Sequence, residues 1–155
     1  MANYYHLLII DDDPLGLMNY LDILEDNGFH AIGADSLAQA RRELSRQDFD
    51  LIISDHDLGD GKGVTLIRQL QDSGRHLPVI YLSAAAPELL AEAAAISLVR
   101  LVMSKPVTPE QLLDAVKNLL PAESPLPSDA YPQVIGPEER DLLLNFFNRS
   151  ENGTL

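Results

Sequence analysis

The stretch that decides the fold is Phe49-Asp50-Leu51-Ile52-Ile53-Ser54-Asp55-His56-Asp57-Leu58-Gly59. Its short apolar run, residues 51–53, is typical of a strand buried on both faces of a sheet. The run ends abruptly in acids and a glycine, so Asp55 lies where a strand meets a loop. In open parallel sheets, ligands bind beyond the carboxyl ends of the strands. Asp55 is therefore placed to take part in chemistry.

Four further segments have strand character, and helical segments lie between the strands. The predicted strands are residues 7–10, 29–33, 78–83 and 99–103, in addition to the central one. The predicted helices cover residues 14–27, 36–46, 64–73, 84–95 and 108–120, and residues 59–63 are predicted to form a glycine-rich loop. Ser36 with Gln39, and Thr108 with Gln111, have the spacing of capping boxes. The alternation predicts an α/β fold: a doubly wound, five-stranded parallel sheet flanked by five helices.

Polar side chains follow four of these strands. Asp11 and Asp12 follow the first, Asp55 the central one, Ser83 the fourth and Lys105 the fifth. Because parallel strands end at the same edge of a sheet, we expect these groups to share one site. Clustered carboxylates need a cation, and a set of oxygen ligands favours Mg²⁺. With the metal bound, Asp55 is a credible nucleophile toward a phosphoryl group, whose oxygens Lys105 and Ser83 would stabilise.

Composition restricts the remaining possibilities. The 155 residues include no cysteine, which excludes disulfides and thiolate metal sites. The net charge of −13 argues against direct nucleic-acid binding. No apolar run reaches the roughly 18 to 20 residues of a membrane span, and no basic segment precedes an apolar one at the start. These features predict a cytoplasmic protein without membrane contact.

The composition changes after residue 120. Five of the ten prolines fall within residues 121–137, so residues 121–136 are predicted to form a linker. Residues 137–155 are predicted to form a short amphipathic helix and a tail, which places the main domain at residues 1–120. Apolar side chains on that helix, such as Phe146 and Phe147, suggest packing onto the domain or onto a second copy, which would make a homodimer. The chain is expected to be either a stand-alone protein or the first part of a longer one.

The joint pattern over residues 5–120 resembles the receiver domain of bacterial two-component response regulators, which have a flavodoxin-like fold. The resemblance lies in Asp-Asp-Asp-Pro after the first strand, Asp55 after Leu-Ile-Ile-Ser, Ser83 before small residues, and Ser-Lys-Pro before the last helix. It implies that Asp55 accepts phosphate from a histidine kinase or phosphotransfer protein. It further implies a Mg²⁺ site made by Asp11, Asp12, Asp55 and the backbone carbonyl of Asp57. Ser83 would be the switch hydroxyl and Lys105 its charge partner, and family members often have a cis peptide before the proline matched by Pro106.

The sequence departs from the family pattern near the predicted readout of phosphorylation. Val102 stands where most receivers have an aromatic residue, Leu98 where a glycine is usual, and Val107 where Phe is common. Asp57 and Ala85 match positions that modulate the lifetime of the phosphoryl group. The residues for phosphoryl transfer are therefore expected to be complete, whereas the coupling of Ser83 to the surface follows another path or is weak.

Two alternatives remain open at this point. Asp55 and Asp57 also match the aspartyl-nucleophile motif of haloacid-dehalogenase-like phosphatases, in which the second Asp is the general acid. The altered last strand is also compatible with a degenerate receiver that serves only as a binding module. We favour the active receiver, which is not an enzyme beyond self-catalysed phosphotransfer and autodephosphorylation. Its downstream protein target is unknown.

Overall fold

The fold alternates strands and helices along the chain. A computed structural model describes residues 5–84 and 90–120 of the protein. The elements in chain order are β1 (His6–Ile10), α1 (Pro14–Asp26), β2 (His30–Ala34), α2 (Leu37–Arg46), β3 (Leu51–Asp55), β4 (Asp57–Leu58), β5 (Gly61–Lys62), α3 (Gly63–Asp72), β6 (Val79–Ser83), α4 (Ala91–Ala94), β7 (Val99–Ser104) and α5 (Pro109–Leu119).

Five strands form one parallel sheet in the order β2-β1-β3-β6-β7. The chain steps outward from β1 to β2 and then returns to β3 and onward to β7, so the strand order reverses between β1 and β3. In a doubly wound sheet this reversal opens a crevice at the carboxyl ends of the strands. The predicted fold class is confirmed: an α/β, flavodoxin-like, five-stranded parallel sheet.

The core lies on both faces of the central strands. Residues of β1, β3 and β6 are almost completely buried, which explains why their sequences are continuous apolar runs rather than alternating ones. The helices cover this sheet with residues such as Leu24, Leu44, Ile67 and Val116. Burial of each such aliphatic side chain contributes on the order of 1.5 to 3 kcal/mol to folding stability. The sheet is therefore a stable support for the groups at its edge.

The segment after β3 differs from the prediction. Residues 59–63 were expected to be a loop, but Asp57–Leu58 and Gly61–Lys62 pair as a short antiparallel hairpin, β4 and β5. Gly61, the first residue of β5 after the turn, has a φ of 150°, a backbone conformation that L side chains rarely adopt. The strands are only two residues long, below the length at which alternation in a sequence is recognisable.

Helix α3 begins at Gly63, where the chain passes very close to β3. A Cβ atom there would lie 2.5 Å from the Ser54 hydroxyl oxygen and closer still to the backbone carbonyl oxygen of Asp55. Only glycine permits this approach. The close contact fixes the start of α3 directly against the end of the central strand.

Several expected details can be compared with the structure. The capping box at Thr108 and Gln111 forms, with reciprocal hydrogen bonds of 2.9 and 3.1 Å. Ser36 caps α2 as expected, but Gln39 accepts from the backbone N–H of Asp35 instead of closing the box. Helix α4 is described from Ala91 to Ala94, and the earlier part of the predicted helix lies outside the described residues.

Some expectations fall on parts of the chain without a description. Ala85, the linker 121–136 and the helix 137–155 lie outside the described residues, so the predicted division into a domain, a linker and a tail stays a prediction. Within the described ranges, every helix is too short or too polar to cross a lipid bilayer.

Candidate functional site

The carboxyl ends of the strands bring the predicted polar groups together. Asp11 and Asp12 follow β1 directly, Asp55 ends β3, Ser83 ends β6, and Lys105 follows β7. Hydrogen bonds between backbone groups continue the ladder past the strand ends: Lys105 N–H donates to the Ser83 carbonyl at 2.8 Å, and His56 N–H to the Leu82 carbonyl at 2.9 Å. The loops at this edge are therefore held in the same register as the sheet.

An ion pair lies at the centre of the site. Lys105 Nζ is 2.7 Å from Asp55 Oδ1 and 3.8 Å from Asp11 Oδ2. Both carboxylates are buried, while the lysine side chain is partly exposed. An ammonium between two buried carboxylates offsets part of their mutual repulsion.

Three carboxylates form a cluster with the geometry of a cation site. Asp11, Asp12 and Asp55 each offer one oxygen, and these oxygens lie within 4.8 Å of one another. Asp11 and Asp55 are buried, whereas Asp12 is exposed and can turn toward either water or an ion. A set of oxygen ligands without histidine fits a hard cation that keeps several of its waters, as Mg²⁺ does. Asp11 is also oriented from the backbone, because its Oδ1 accepts from the Asp13 N–H at 2.9 Å.

The electrostatics of Asp55 reflect its burial. Burial raises the pKa of its carboxyl from 3.8 to about 6, and the nearby charge of Asp11 acts in the same direction. The hydrogen bond from Lys105 lowers the Asp55 pKa but does not cancel these effects. For Lys105, burial favours the neutral amine, yet the contacts with Asp55 and the charge of Asp11 outweigh it and raise the Lys105 pKa above its usual value. At neutral pH the pair is ionised.

The side chain of Asp57 pairs with a different lysine. It lies on β4, is exposed, and forms a salt bridge with Lys62 on the paired strand β5. The hydrogen bond from Lys62 lowers the pKa of the Asp57 carboxyl. The hairpin thus supplies a cation for the acid two residues after Asp55, a partner that could not be read from the sequence because the hairpin itself was not predicted.

Ser83 and Val102 lie where the sequence places them. Ser83 is buried at the end of β6, between the strands that lead to Asp55 and Lys105. Val102 is partly buried on β7 and packs against the hydrophobic core. The peptide bond between Lys105 and Pro106 is cis, as the family pattern led us to expect.

A buried aromatic residue next to the site was missed. Tyr81 lies on β6, is completely buried, and its hydroxyl is 2.6 Å from His56 Nδ1. Burial raises the pKa of the Tyr81 phenol well above its usual value, so the phenol keeps its proton at neutral pH. The sequence did contain an indication of this residue, because Tyr81 is the one aromatic residue of the strand Val79–Ser83.

Two further contacts hold the surroundings in place. The Tyr20 hydroxyl on α1 donates to the Val107 carbonyl at 2.8 Å, which fastens the loop after Lys105 to α1. The Asp60 carboxylate at the hairpin turn accepts the backbone N–H groups of Leu37 and Ala38 at 2.8 and 3.1 Å. These bonds place an acid at the N-terminus of α2, where helix amides lack partners within the helix.

Comparison with known proteins identifies the family. Residues 7–117 match the response regulator receiver domain. GlrR of Escherichia coli (strain K12), a transcriptional regulatory protein, is 33% identical over 131 residues, which cover 84% of this chain and 29% of GlrR. The chain therefore spans less than a third of that relative.

Solved structures show the same fold. A two-component response regulator from Clostridium difficile is 25% identical, with a TM-score of 0.69 over 74% of this chain and 94% of that one. The chemotaxis response regulator CheY4 of Vibrio cholerae is 24% identical, with a TM-score of 0.69 over 76% of this chain and all of the other. The chain belongs to the family of response regulator receiver domains, which are phosphoacceptor signalling domains.

Proposed function

We propose that Asp55 accepts the phosphoryl group, with Mg²⁺ held by Asp11, Asp12, Asp55 and the backbone carbonyl of Asp57. The observation that carries this proposal is the 2.7 Å contact between Lys105 Nζ and Asp55, within a carboxylate cluster whose oxygens lie inside 4.8 Å. A carboxylate that is buried, ionised and paired with a cation is suited to act as a nucleophile.

In this reaction a bond forms between an Asp55 oxygen and phosphorus while the bond from phosphorus to the donor breaks, which yields an acyl phosphate. The ionised form of Asp55 is required, and a pKa of about 6 leaves it mostly deprotonated at pH 7. Mg²⁺ would neutralise charge on the transferring group. Lys105 then turns its ammonium from the carboxylate to a phosphoryl oxygen, and the Ser83 hydroxyl donates to another.

Lys62 is proposed to weaken the influence of Asp57 on the lifetime of the phosphoryl group. A free carboxylate two residues after the acceptor would repel or orient an attacking water. The salt bridge to Lys62 instead neutralises this charge and holds it on the exposed face of the hairpin. Ala85 and Val102 belong to the same group of modulating positions by family resemblance alone.

The partners follow from the family and from the charge of the chain. We infer that a histidine kinase or phosphotransfer protein supplies the phosphoryl group and that the chain acts in the cytoplasm through protein contacts, including a possible homodimer. The net charge of −13 gives no attraction for DNA. GlrR is named a transcriptional regulatory protein, and the match covers only 29% of its length. We therefore propose protein contacts for the receiver itself and propose nothing about DNA binding by further domains.

The proposal is tested by incubating the protein with a small phosphodonor and Mg²⁺ and measuring its intact mass. We expect the mass of one phosphoryl group to be added, mapped to Asp55, and lost in Asp55→Asn but retained in the neighbouring control Asp57→Asn. Asp12→Ala is expected to weaken Mg²⁺ binding at least tenfold. Modification elsewhere contradicts the assignment of Asp55.

The same assay separates an active receiver from one that serves only as a binding module. The phosphatase alternative is not supported, because residues 7–117 match the receiver family, and one labile phosphate per chain is the result expected of an active receiver. Absence of both Mg²⁺ binding and phosphorylation would leave only the binding module. The intact ion pair and carboxylate cluster favour the active receiver over the degenerate one.

A further inference from the structure

Two histidines lie side by side at the edge of the sheet opposite the phosphoryl site. His6 begins β1 and His30 begins β2, and the two residues are direct partners in the parallel register. Their rings are stacked, with centroids 5.0 Å apart and an angle of 16° between the ring planes. Both residues are exposed. They are 24 positions apart in the chain, so their proximity arises only in the folded sheet.

The sheet determines this pairing. Side chains of register partners on neighbouring parallel strands point to the same face, so His6 and His30 continue the row of Leu8 and Ile32 toward the amino edge. Strands in a sheet lie about 4.8 Å apart, which is close to the observed ring separation. The hydrogen bonds between the backbones of β1 and β2 fix this register, so the strand pairing alone places the two imidazoles next to each other.

Acidic groups lie next to both histidines. The Asp50 carboxylate accepts the backbone N–H of His6 at 2.8 Å, and the Glu25 carboxylate accepts the backbone N–H of Ala31, beside His30, at 2.8 Å. Asp50 immediately precedes β3, the neighbour of β1 on its other side. The surroundings therefore favour a bound cation electrostatically.

We propose that His6 and His30 form a binding site for a divalent transition-metal ion such as Zn²⁺, separate from the Mg²⁺ site. Imidazole nitrogen is a preferred ligand of Zn²⁺, Ni²⁺ and Cu²⁺ and a poor one for Mg²⁺. Zinc–nitrogen bonds of about 2.0 to 2.1 Å place two ligating nitrogens roughly 3.3 Å apart in a tetrahedral site. The rings reach this spacing by tilting toward each other, which their exposure permits, and water completes the coordination.

The two metal sites differ in place as well as in chemistry. His6 and Asp11 stand at opposite ends of β1, and five residues of strand at about 3.3 Å each separate them by roughly 16 Å. An ion at the histidine pair would join the edge strand β2 to β1. Because it binds the folded chain only, it would raise stability with ion concentration. This inference does not depend on the proposed phosphoryl transfer.

The test is a titration of protein without a polyhistidine tag with Zn²⁺ at pH 7.5, in saturating Mg²⁺ so that the acidic site is occupied. Calorimetry is expected to show one Zn²⁺ per chain with micromolar affinity. His6→Gln and His30→Gln should each weaken this binding at least tenfold. His76→Gln is the matched control, since His76 is also exposed but has neither His6 nor His30 as a register partner.

Two further measurements make the result independent of folding defects. The thermal midpoint of the unmodified chain should rise with Zn²⁺, and that of His30→Gln should not. In NMR spectra, the ring nitrogens of His6 and His30 should shift together, while those of His56 and His76 stay in place. The proposal is overturned if Zn²⁺ binds only at millimolar concentration, if His76→Gln weakens binding as much as His30→Gln, or if Asp12→Ala abolishes it.

Discussion

Lys105 and Asp55 form a 2.7 Å ion pair that does not fully compensate the burial of the carboxylate. The pKa of Asp55 is raised to about 6 even with the ammonium in contact. A group whose pKa lies above its value in the unfolded chain costs stability once it is ionised. Without a bound cation, the site is therefore a destabilising feature of the fold at neutral pH.

Replacement of the acceptor is expected to stabilise the protein in the absence of Mg²⁺. The pKa shift from 3.8 to about 6 corresponds to about 3 kcal/mol. Asp55→Asn removes this cost but also deprives Lys105 of its partner, so we expect a net gain of about 1 to 2 kcal/mol in unfolding free energy at pH 7. Urea denaturation in the presence of a metal chelator measures the difference in unfolding free energy between this variant and the unmodified chain.

The stability gained by Asp55→Asn should increase as the pH rises. The folded chain binds the Asp55 proton more tightly than the unfolded chain, so the contribution of Asp55 to stability is lost as pH rises from about 4 to about 6. Asparagine does not titrate. The advantage of Asp55→Asn should therefore grow over this interval and level off above it. A constant advantage from pH 4 to pH 8 would show that burial of the charge is not the cause.

Two glycines of the same segment should differ strongly in how far replacement by alanine changes stability. Gly63→Ala places a methyl group against the Asp55 carbonyl and the Ser54 hydroxyl, and we expect a loss of about 2 to 3 kcal/mol in stability, together with slower phosphorylation. Gly59→Ala is the control, because no atom lies within 4 Å of its added Cβ. Its stability should change by less than about 0.5 kcal/mol. Equal effects would contradict the close approach of α3 to β3.

The Tyr20 hydroxyl is expected to stabilise the loop that carries Lys105. Tyr20→Phe leaves the Val107 carbonyl without its buried donor, which should cost about 1 to 2 kcal/mol. Chemical denaturation gives the loss, and the rate of phosphorylation by a small phosphodonor should fall with it. An unchanged denaturation midpoint would mean that water replaces the phenol at no cost.

Asp60 is expected to link the hairpin to α2. Asp60→Ala removes the acceptor of the Leu37 and Ala38 amides, so these two N–H groups should exchange with solvent faster and the thermal midpoint should fall. Asp22→Ala, an exposed acid on α1, is the control for the loss of one negative charge. If the Leu37 amide exchanges at the same rate in both variants, the contact between Asp60 and Leu37 is absent in solution.

Most of the sheet and its edge could be predicted from the sequence because the relevant signals are local. Continuous apolar runs mark β1, β3 and β6, and the acid, hydroxyl or amine at the end of each run follows from the chain direction alone. Once the strands are parallel, Asp11, Asp55 and Lys105 must meet at one edge. The cis peptide before Pro106 came from family resemblance and not from the residues.

The contacts that the sequence did not predict depend on the folded surface. On α1 the apolar Met18 is 56% exposed, while Tyr20 is buried and bonded to the loop before α5. The hairpin, and with it the pairing of Lys62 with Asp57, arises from two-residue strands that leave no periodic pattern. The contact between Tyr81 and His56 joins a strand residue to the residue that follows β3, 25 positions away, and no spacing along the chain reveals it.

The reach of Lys105 has a mechanical consequence. Lys105 follows β7, the last strand in the sheet order, whereas Asp55 lies on β3, and β6 stands between them. The lysine side chain therefore reaches past β6 to Asp55, since backbones two strands apart lie about 9 to 10 Å from each other. A ligand that binds at Asp55 and takes over the ammonium therefore changes a contact that extends from the central strand to the last strand of the sheet.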